Sequence, residues 1–281
     1  MEAATPSRTA LRVAMRRAAH QLYDEQPLVF VDPVAVPILG REYLPEVERT
    51  QFKLNKPFSV SLRAFMVARS RYAEDLLAQA VANGVRQYVL LGAGLDTFAY
   101  RNPFPEVHVF EVDHPATQQW KRGLLAANGI SIPANLTYAP VDFEHQQLRT
   151  QLAAAGFDAT APAFFAWLGV VPYLTHEAFR STLSLIASLP KGSGVVMDYA
   201  QPRSALPYLE QLGHDSLASR VALAGEPFQL FFTPPEMTAE LTAFCSIEDL
   251  GSTELNDRYF KDRKDSLKLR GSGGRIVSAW L

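Results

Sequence analysis

Two glycines and two aspartates carry the most chemistry in this chain. The run Tyr88-Val-Leu-Leu91 ends directly in Gly92-Ala93-Gly94, with Leu95-Asp96-Thr97 behind it. Uninterrupted apolar residues of that length read as a strand buried on both faces. Glycines at its tip permit positive φ and let a ligand approach the bare backbone. About twenty residues later, Val107-His-Val-Phe-Glu-Val112 reads as a second strand that ends on Asp113. A glycine turn after one strand and a carboxylate at the tip of the next is how a Rossmann-like half holds a nucleoside. The turn supplies backbone and space, and the carboxylate accepts from the ribose hydroxyls.

The spacing narrows the ligand. A dinucleotide fingerprint carries a third glycine, and here the series runs Gly92, Gly94, Thr97. That disfavours close pyrophosphate packing on a helix N-terminus, and so NAD or FAD. A nucleoside cofactor without a diphosphate fits better, S-adenosylmethionine being the common one, with a nicotinamide cofactor as the alternative. Asp96 either braces the glycine loop for the ligand or serves the loop alone. Other chemistries lack their residues. Six histidines show no H-x-x-x-H spacing and have one cysteine, Cys245, to join them, so no metal site is expected. There is no G-x-S-x-G elbow and no Walker pattern. Gly271-Ser-Gly-Gly274 precedes a strand and reads as a tight turn rather than a phosphate loop.

These residues need a scaffold, and 281 residues suit one α/β domain with elaborations. A formal charge of −2 gives no field for nucleic acid or an anionic membrane. No apolar segment approaches the roughly 18–20 residues of a membrane span, and one cysteine suits a reducing cytoplasm. Further strands are expected at Leu136–Val141, Ala163–Leu168 and Gly194–Tyr199. Helices fall between them, including one from Pro115 to Asn128, one from about His145 to Ala155, and one capped by Thr175 and running to Ser188. Such alternation means a parallel sheet with right-handed crossovers. Two late strands follow, Ser246–Leu250 and Arg275–Leu281, after a helix-rich insert at 203–232 and a helix from Pro234 to Phe244.

Ahead of the sheet, Ser7 to Asp24 reads as an amphipathic helix with Leu11, Met15, Ala18 and Leu22 on one face and Arg8, Arg12 and Arg16 on another. Its Arg-rich character admits a transit peptide, whereas the apolar stripe suits a lid over the domain. Phe30-Val-Asp-Pro33 leads into a short helix ending near Gly40, and the charged stretch Arg41–Lys56 reads as a surface loop with some helix. Ser59 to Asn83 reads as a long helix bearing Arg63, Arg69 and Arg71, whose neutral interpretation is a solvated face.

Taken together, Ala68-Arg69-Ser-Arg71, Gly92-Ala-Gly-Leu-Asp-Thr97 with Tyr100-Arg101, Phe110-Glu-Val-Asp-His-Pro115, Val141-Asp142, Trp167-Leu-Gly-Val-Val-Pro-Tyr-Leu-Thr175 and Glu254-Leu-Asn-Asp-Arg-Tyr-Phe260 are recognisable. The chain resembles the leucine carboxyl methyltransferase family, in a bacterial branch of S-adenosylmethionine-dependent methyltransferases. The resemblance implies a Rossmann-like class I methyltransferase fold, a seven-stranded, mostly parallel sheet with a reversed last strand. A helical N-terminal cap is expected over residues 1–58 and the methyltransferase domain over 59–281, with the insert contributing to an acceptor pocket. It implies that Arg69 pairs with the cofactor's methionine carboxylate, that Gly92, Ala93 and Gly94 lie under methionine and ribose, and that Asp113 accepts from the ribose. Asp142 and Phe143 would border the adenine. Many relatives carry a glutamate just after the fourth strand, near the cofactor's ammonium, and Leu168 stands there in this chain. Main-chain carbonyls of Gly92 or Leu168 are expected to serve instead.

The function expected is O-methyl transfer to a carboxylate or hydroxyl of a small or medium acceptor by in-line displacement. A carboxylate is ionised at neutral pH and needs no base, whereas a hydroxyl needs a proton acceptor, for which His114 or Tyr173 could serve. Each also has a plain structural reading, His114 beside a helix N-cap and Tyr173 as a loop anchor. Tyr208, Phe228, Phe231 and Phe232 either wall the acceptor or pack the core. The competing functions are a nucleoside-binding protein without turnover and a nicotinamide oxidoreductase. A small-molecule acceptor is expected, with no nucleic acid or membrane partner, and the chain acting as a monomer or homodimer in the cytoplasm.

Overall fold

The computed structural model describes residues 7–49, 56–142, 146–223 and 225–281. Seven strands form one sheet: β1 (Gln87–Leu91), β2 (His108–Asp113), β3 (Leu136–Pro140), β4 (Ala163–Trp167), β5 (Gly194–Ala200), β6 (Ser246–Leu250) and β7 (Gly274–Trp280). Their order is β3-β2-β1-β4-β5-β7-β6. All pairs are parallel except those of β7, which runs antiparallel to both β5 and β6. This is the class I methyltransferase sheet with its reversed last strand. Chain order turns back between β1 and β4, so the carboxyl ends of β1, β2, β4 and β5 open a crevice at the switch point.

Both sheet faces are covered, which explains the near-continuous apolar strands. Tyr88 and Leu90 of β1 point into one core with Phe164, Ala166 and Val196, under the long helix α3 (Pro57–Ala82). Val89 and Leu91 point the other way, with Phe165, Trp167 and Met197, against α5 (Leu148–Ala154), α6 (His176–Ala187) and α8 (Pro234–Glu240). A third core joins α1 (Arg8–Tyr23), α2 (Gly40–Arg49) and α4 (Pro115–Ala127) through Ala14, Ala18, Val47, Leu124 and Leu125. The insert contributes α7 (Tyr208–Ala222), and α9 (Ser252–Tyr259) lies between β6 and β7.

Two N-terminal expectations change. The stretch expected as a surface loop is helical as α2 over Gly40–Arg49, and the helix expected before Gly40 is a turn followed by a 3₁₀ segment, Pro37–Leu39. Pro45 and five charged side chains hid α2, although Val47 is buried and Tyr43 and Leu44 pack against the same core. On α1 the buried face is Ala14, Arg17, Ala18, Ala19 and His20, while Leu22 is exposed. Small residues let α1 lie close on its neighbours, and the buried arginine is held by charge rather than by the apolar stripe.

Candidate functional site

A cavity of about 1840 Å³ lies at the crevice, between the carboxyl ends of the strands and α1, α3 and α7. Typical small-molecule sites occupy roughly 300–1,000 Å³, so there is room for a nucleoside cofactor and a second molecule. Arg69, Gly92, Ala93, Gly94, Asp96, Asp113, His114, Asp142, Leu168 and Tyr173 all line it. Phe143 lies outside the described residues.

The glycine turn has the backbone its sequence demands. Gly92 sits at φ +65° and Gly94 at φ +48°, in the region that favours glycine. A Cβ on Gly92 would stand 2.3 Å from Val170 Cγ2, so the loop after β4 also needs the glycine for close packing. The Ala93 N–H donates to the Val112 carbonyl at 3.0 Å, tying the turn to β2. Asp113 completes the tie, accepting from the Gly94 N–H at 2.5 Å and the His114 N–H at 2.7 Å. Burial raises its pKa above the ordinary carboxylate value, and these two N–H groups only partly offset that. Each carboxylate oxygen can accept more than one hydrogen bond, so Asp113 keeps capacity for a ligand.

Behind the turn lies a charge network that the sequence reading missed. Arg17, buried on α1, donates to Asp32 at 2.6 Å, Asp96 at 3.0 Å and the Thr97 hydroxyl at 2.7 Å. Arg101 stands 3.2 Å from Asp32 and also pairs with Glu74. Asp96 further accepts from the Phe98 N–H at 2.7 Å. Burial alone would raise Asp96, but Arg17, Lys121 and that N–H outweigh it and hold the carboxyl below its ordinary value. Asp96 therefore braces the turn. The legible hint was Asp32 within Phe30-Val-Asp-Pro33, a carboxylate in apolar surroundings that requires a cation.

Arg69, near the middle of α3, is buried and donates to Asp198 at 2.9 Å. Asp198, near the end of β5, also accepts from the Gly169 N–H at 2.5 Å. Gly169 has φ +75°, and a Cβ there would stand 2.8 Å from an Arg69 guanidinium nitrogen. The loop after β4 is thus shaped around Arg69. Sequence reading did not single out Asp198, whose place on an apolar strand was its only signal. Leu168 is partly buried against the core beneath α3.

Neither candidate proton acceptor is free for that task. His114 is the N-cap of α4, and its Nδ1 accepts from the Ala116 N–H at 3.2 Å. In the neutral ring Nε2 then carries the proton and is a donor. Tyr173 lies against Phe228, with ring centroids 5.2 Å apart. Burial, reinforced by Glu226, pushes its phenol up to about 12, so it stays protonated at neutral pH. The loop-anchor and N-cap readings fit these two residues better. Among the described residues no group of histidine, cysteine, aspartate and glutamate could hold a metal.

With this geometry in hand, the chain can be set beside known proteins. The family profile described as leucine carboxyl methyltransferase matches residues 10–187. The chain belongs to the leucine carboxyl methyltransferase family. A full-length relative is the Bacillus subtilis protein named "Putative S-adenosyl-L-methionine-dependent methyltransferase YktD", 33% identical over 286 residues that cover 93% of each chain. Among solved structures, a Thermobifida fusca protein superposes with a TM-score of 0.59 at 19% identity, covering 87% of this chain and 91% of its own. A Streptomyces avermitilis protein of the DUF574 family gives 0.56 at 20% identity, covering 87% and 94%. These two support the fold. The residues expected to hold the cofactor line the crevice at the switch point of the sheet.

Proposed function

We propose that this chain is an S-adenosylmethionine-dependent methyltransferase acting on an oxygen, carboxylate or hydroxyl, of a small or medium acceptor. The observation that carries this reading is the convergence of the Gly92–Gly94 turn, Asp113 and Arg69 on one cavity large enough for two molecules. Asp113 would hold the ribose hydroxyls, and Asp142 would stand at the adenine. Arg69 would face the methionine carboxylate with a guanidinium fork suited to it. Asp198, rather than a main-chain carbonyl alone, would offer the ammonium its counter-charge where Leu168 has none.

S-adenosylmethionine supplies a methyl already activated by its sulfonium, which an acceptor oxygen takes by in-line displacement. The protein's part is to align the two molecules and exclude water. Because the Nδ1 lone pair of His114 is engaged by the Ala116 N–H and burial keeps the Tyr173 phenol protonated, a carboxylate acceptor, which needs no base, suits this cavity better than a hydroxyl. We place the enzyme in the cytoplasm as a monomer or homodimer. Among the described residues no helix is long and apolar enough to cross a membrane. The test is isothermal titration of the purified chain with S-adenosylmethionine and S-adenosylhomocysteine. Micromolar binding of both is expected. Absence of binding by folded protein would overturn the reading, and binding without methyl transfer to any acid or alcohol would leave a nucleoside-binding protein.

A further inference from the structure

Arg12 and Arg16 on α1 and Arg220 on α7 all line the cavity. Arg16 is half-buried, and its hydrogen bond runs to the Arg12 carbonyl at 3.1 Å. Arg220 donates to the Ser216 carbonyl at 3.0 Å and lies over the Phe58 ring at 5.7 Å. None of the three has a carboxylate partner among the described residues. Arg17, Arg63 and Arg69 line the same cavity, and each has one. Glu226 and Glu210 also line the cavity, hydrogen-bonded by the Thr9 hydroxyl and by Ser272, and neither forms an ion pair with these arginines. Burial, then the fields of Arg220, Arg12, Arg63 and Arg69, lower the Arg16 pKa to about 10. A charge withdrawn from water, as that of Arg16 partly is, is normally paired, and no carboxylate among the described residues pairs with it, with half-buried Arg12 or with exposed Arg220.

The methyl donor does not supply an anion for them. Its amino-acid end is a zwitterion of zero net charge, and it meets Arg69 with Asp198, a pair that is itself neutral. Its sulfonium adds a further positive charge. A cavity loaded with it therefore draws an anion more strongly than an empty one. The same wall carries Phe58, Leu209, Leu217, Val221 and Phe228, which suit an apolar body. We propose that Arg12, Arg16 and Arg220 form the seat for the acid group, a carboxylate or a phosphate monoester, of an apolar acceptor. The proposal rests on the methyltransferase reading above.

The test uses the full chain loaded with S-adenosylhomocysteine and titrated with decanoate, decyl phosphate and decanol. Wild-type protein is expected to bind at least one acid about tenfold or more tightly than the alcohol, a difference on the order of one buried charge-assisted contact. The two acids distinguish carboxylate from phosphate. Arg16→Gln should remove most of that preference and Arg16→Gln with Arg220→Gln all of it, with decanol and S-adenosylhomocysteine affinities unchanged. Neither substitution breaks a carboxylate pair, so both variants should fold. The proposal is overturned if wild type does not prefer an acid, or if the preference survives in the double variant. A parallel loss of S-adenosylhomocysteine affinity would also overturn it, assigning the arginines to the cofactor. Should wild type bind no S-adenosylhomocysteine, the methyltransferase reading fails on its own, and the acid–alcohol comparison on unloaded protein still decides whether the seat exists.

Discussion

Two sets of arginines lie at or just behind one cavity, and the fold treats them in opposite ways. Arg17 and Arg101, behind the glycine turn, share Asp32, Asp96, Glu74 and Thr97 in a buried network. Arg12, Arg16 and Arg220, on the α1 and α7 wall, have no carboxylate among the described residues. The first set exchanges its charge inside the protein and produces a fixed loop. The second leaves its charge facing the cavity and solvent, where a bound acid can balance it. Pairing fixes the loop behind the turn and the unpaired set leaves charge for a ligand, while Arg69 is paired with Asp198 and still lines the cavity.

The sharpest way to break this contrast is at Asp32. One oxygen accepts from Arg17 and Thr97, and the other from the N–H groups of Val34 and Ala35 at 3.1 Å. Asp32→Asn should cost about 3–5 kcal/mol of unfolding free energy, because it strands buried guanidinium charge. Urea denaturation showing a loss of less than about 1 kcal/mol would mean the network is not the brace described here. The Lys121–Glu111 pair is an intermediate case, fully buried at 2.7 Å yet with one Glu111 oxygen lacking a hydrogen-bond partner among the described residues. Burial raises Glu111 to about 7, against the pull of Lys121. A carboxyl whose folded pKa is raised binds its proton more tightly in the native state. Its contribution is therefore complete below about 4.5 and is lost as pH rises through about 7. Relative to wild type, Glu111→Gln should remove a decline of about 3 kcal/mol across that window, read from urea melts at several pH values. Parallel pH profiles for the two proteins would remove Glu111 from the account.

Most of the sheet was legible because its strands are nearly continuous apolar runs, and the glycine turn because its backbone needs are visible in residue type. Asp113 followed from its place at a strand tip. Arg17 was not legible, since its partners stand 15 and 79 residues away and only packing brings them together. Asp198 was hidden in the same way. The family resemblance set Arg69 apart, but neither its ion pair nor the lack of one at Arg16 was visible in the sequence. The helix α2 was obscured by charge and by Pro45, features that usually mark loops. Local rules read the elements, and the charge partners had to wait for three dimensions.

Asp113 tests whether the glycine side is a ligand site as well as a scaffold. Asp113→Ala removes acceptors for the Gly94 and His114 N–H groups and for the expected ribose. S-adenosylhomocysteine affinity should fall by about 1.5–3 kcal/mol, measured calorimetrically on protein shown to be folded. An unchanged affinity would take Asp113 out of the site and leave it a loop brace like Asp96.

The smallest effect has the opposite sign, which makes it the most discriminating. Arg12 and Arg16 are like charges one helical turn apart, and Arg220 adds to the repulsion at Arg16. Like-charge pairs at this spacing destabilise a helix by about 0.2–0.5 kcal/mol. Arg16→Gln should therefore raise the unligated protein's unfolding free energy slightly, where Asp32→Asn lowers it steeply. The gain should shrink at high salt, because screening relieves the same repulsion in wild type. It should also shrink when a bound acid supplies the missing counter-charge. A clear loss of stability in the unligated variant would show that Arg16 has a structural partner, and the two arginine sets would then differ in degree and not in kind.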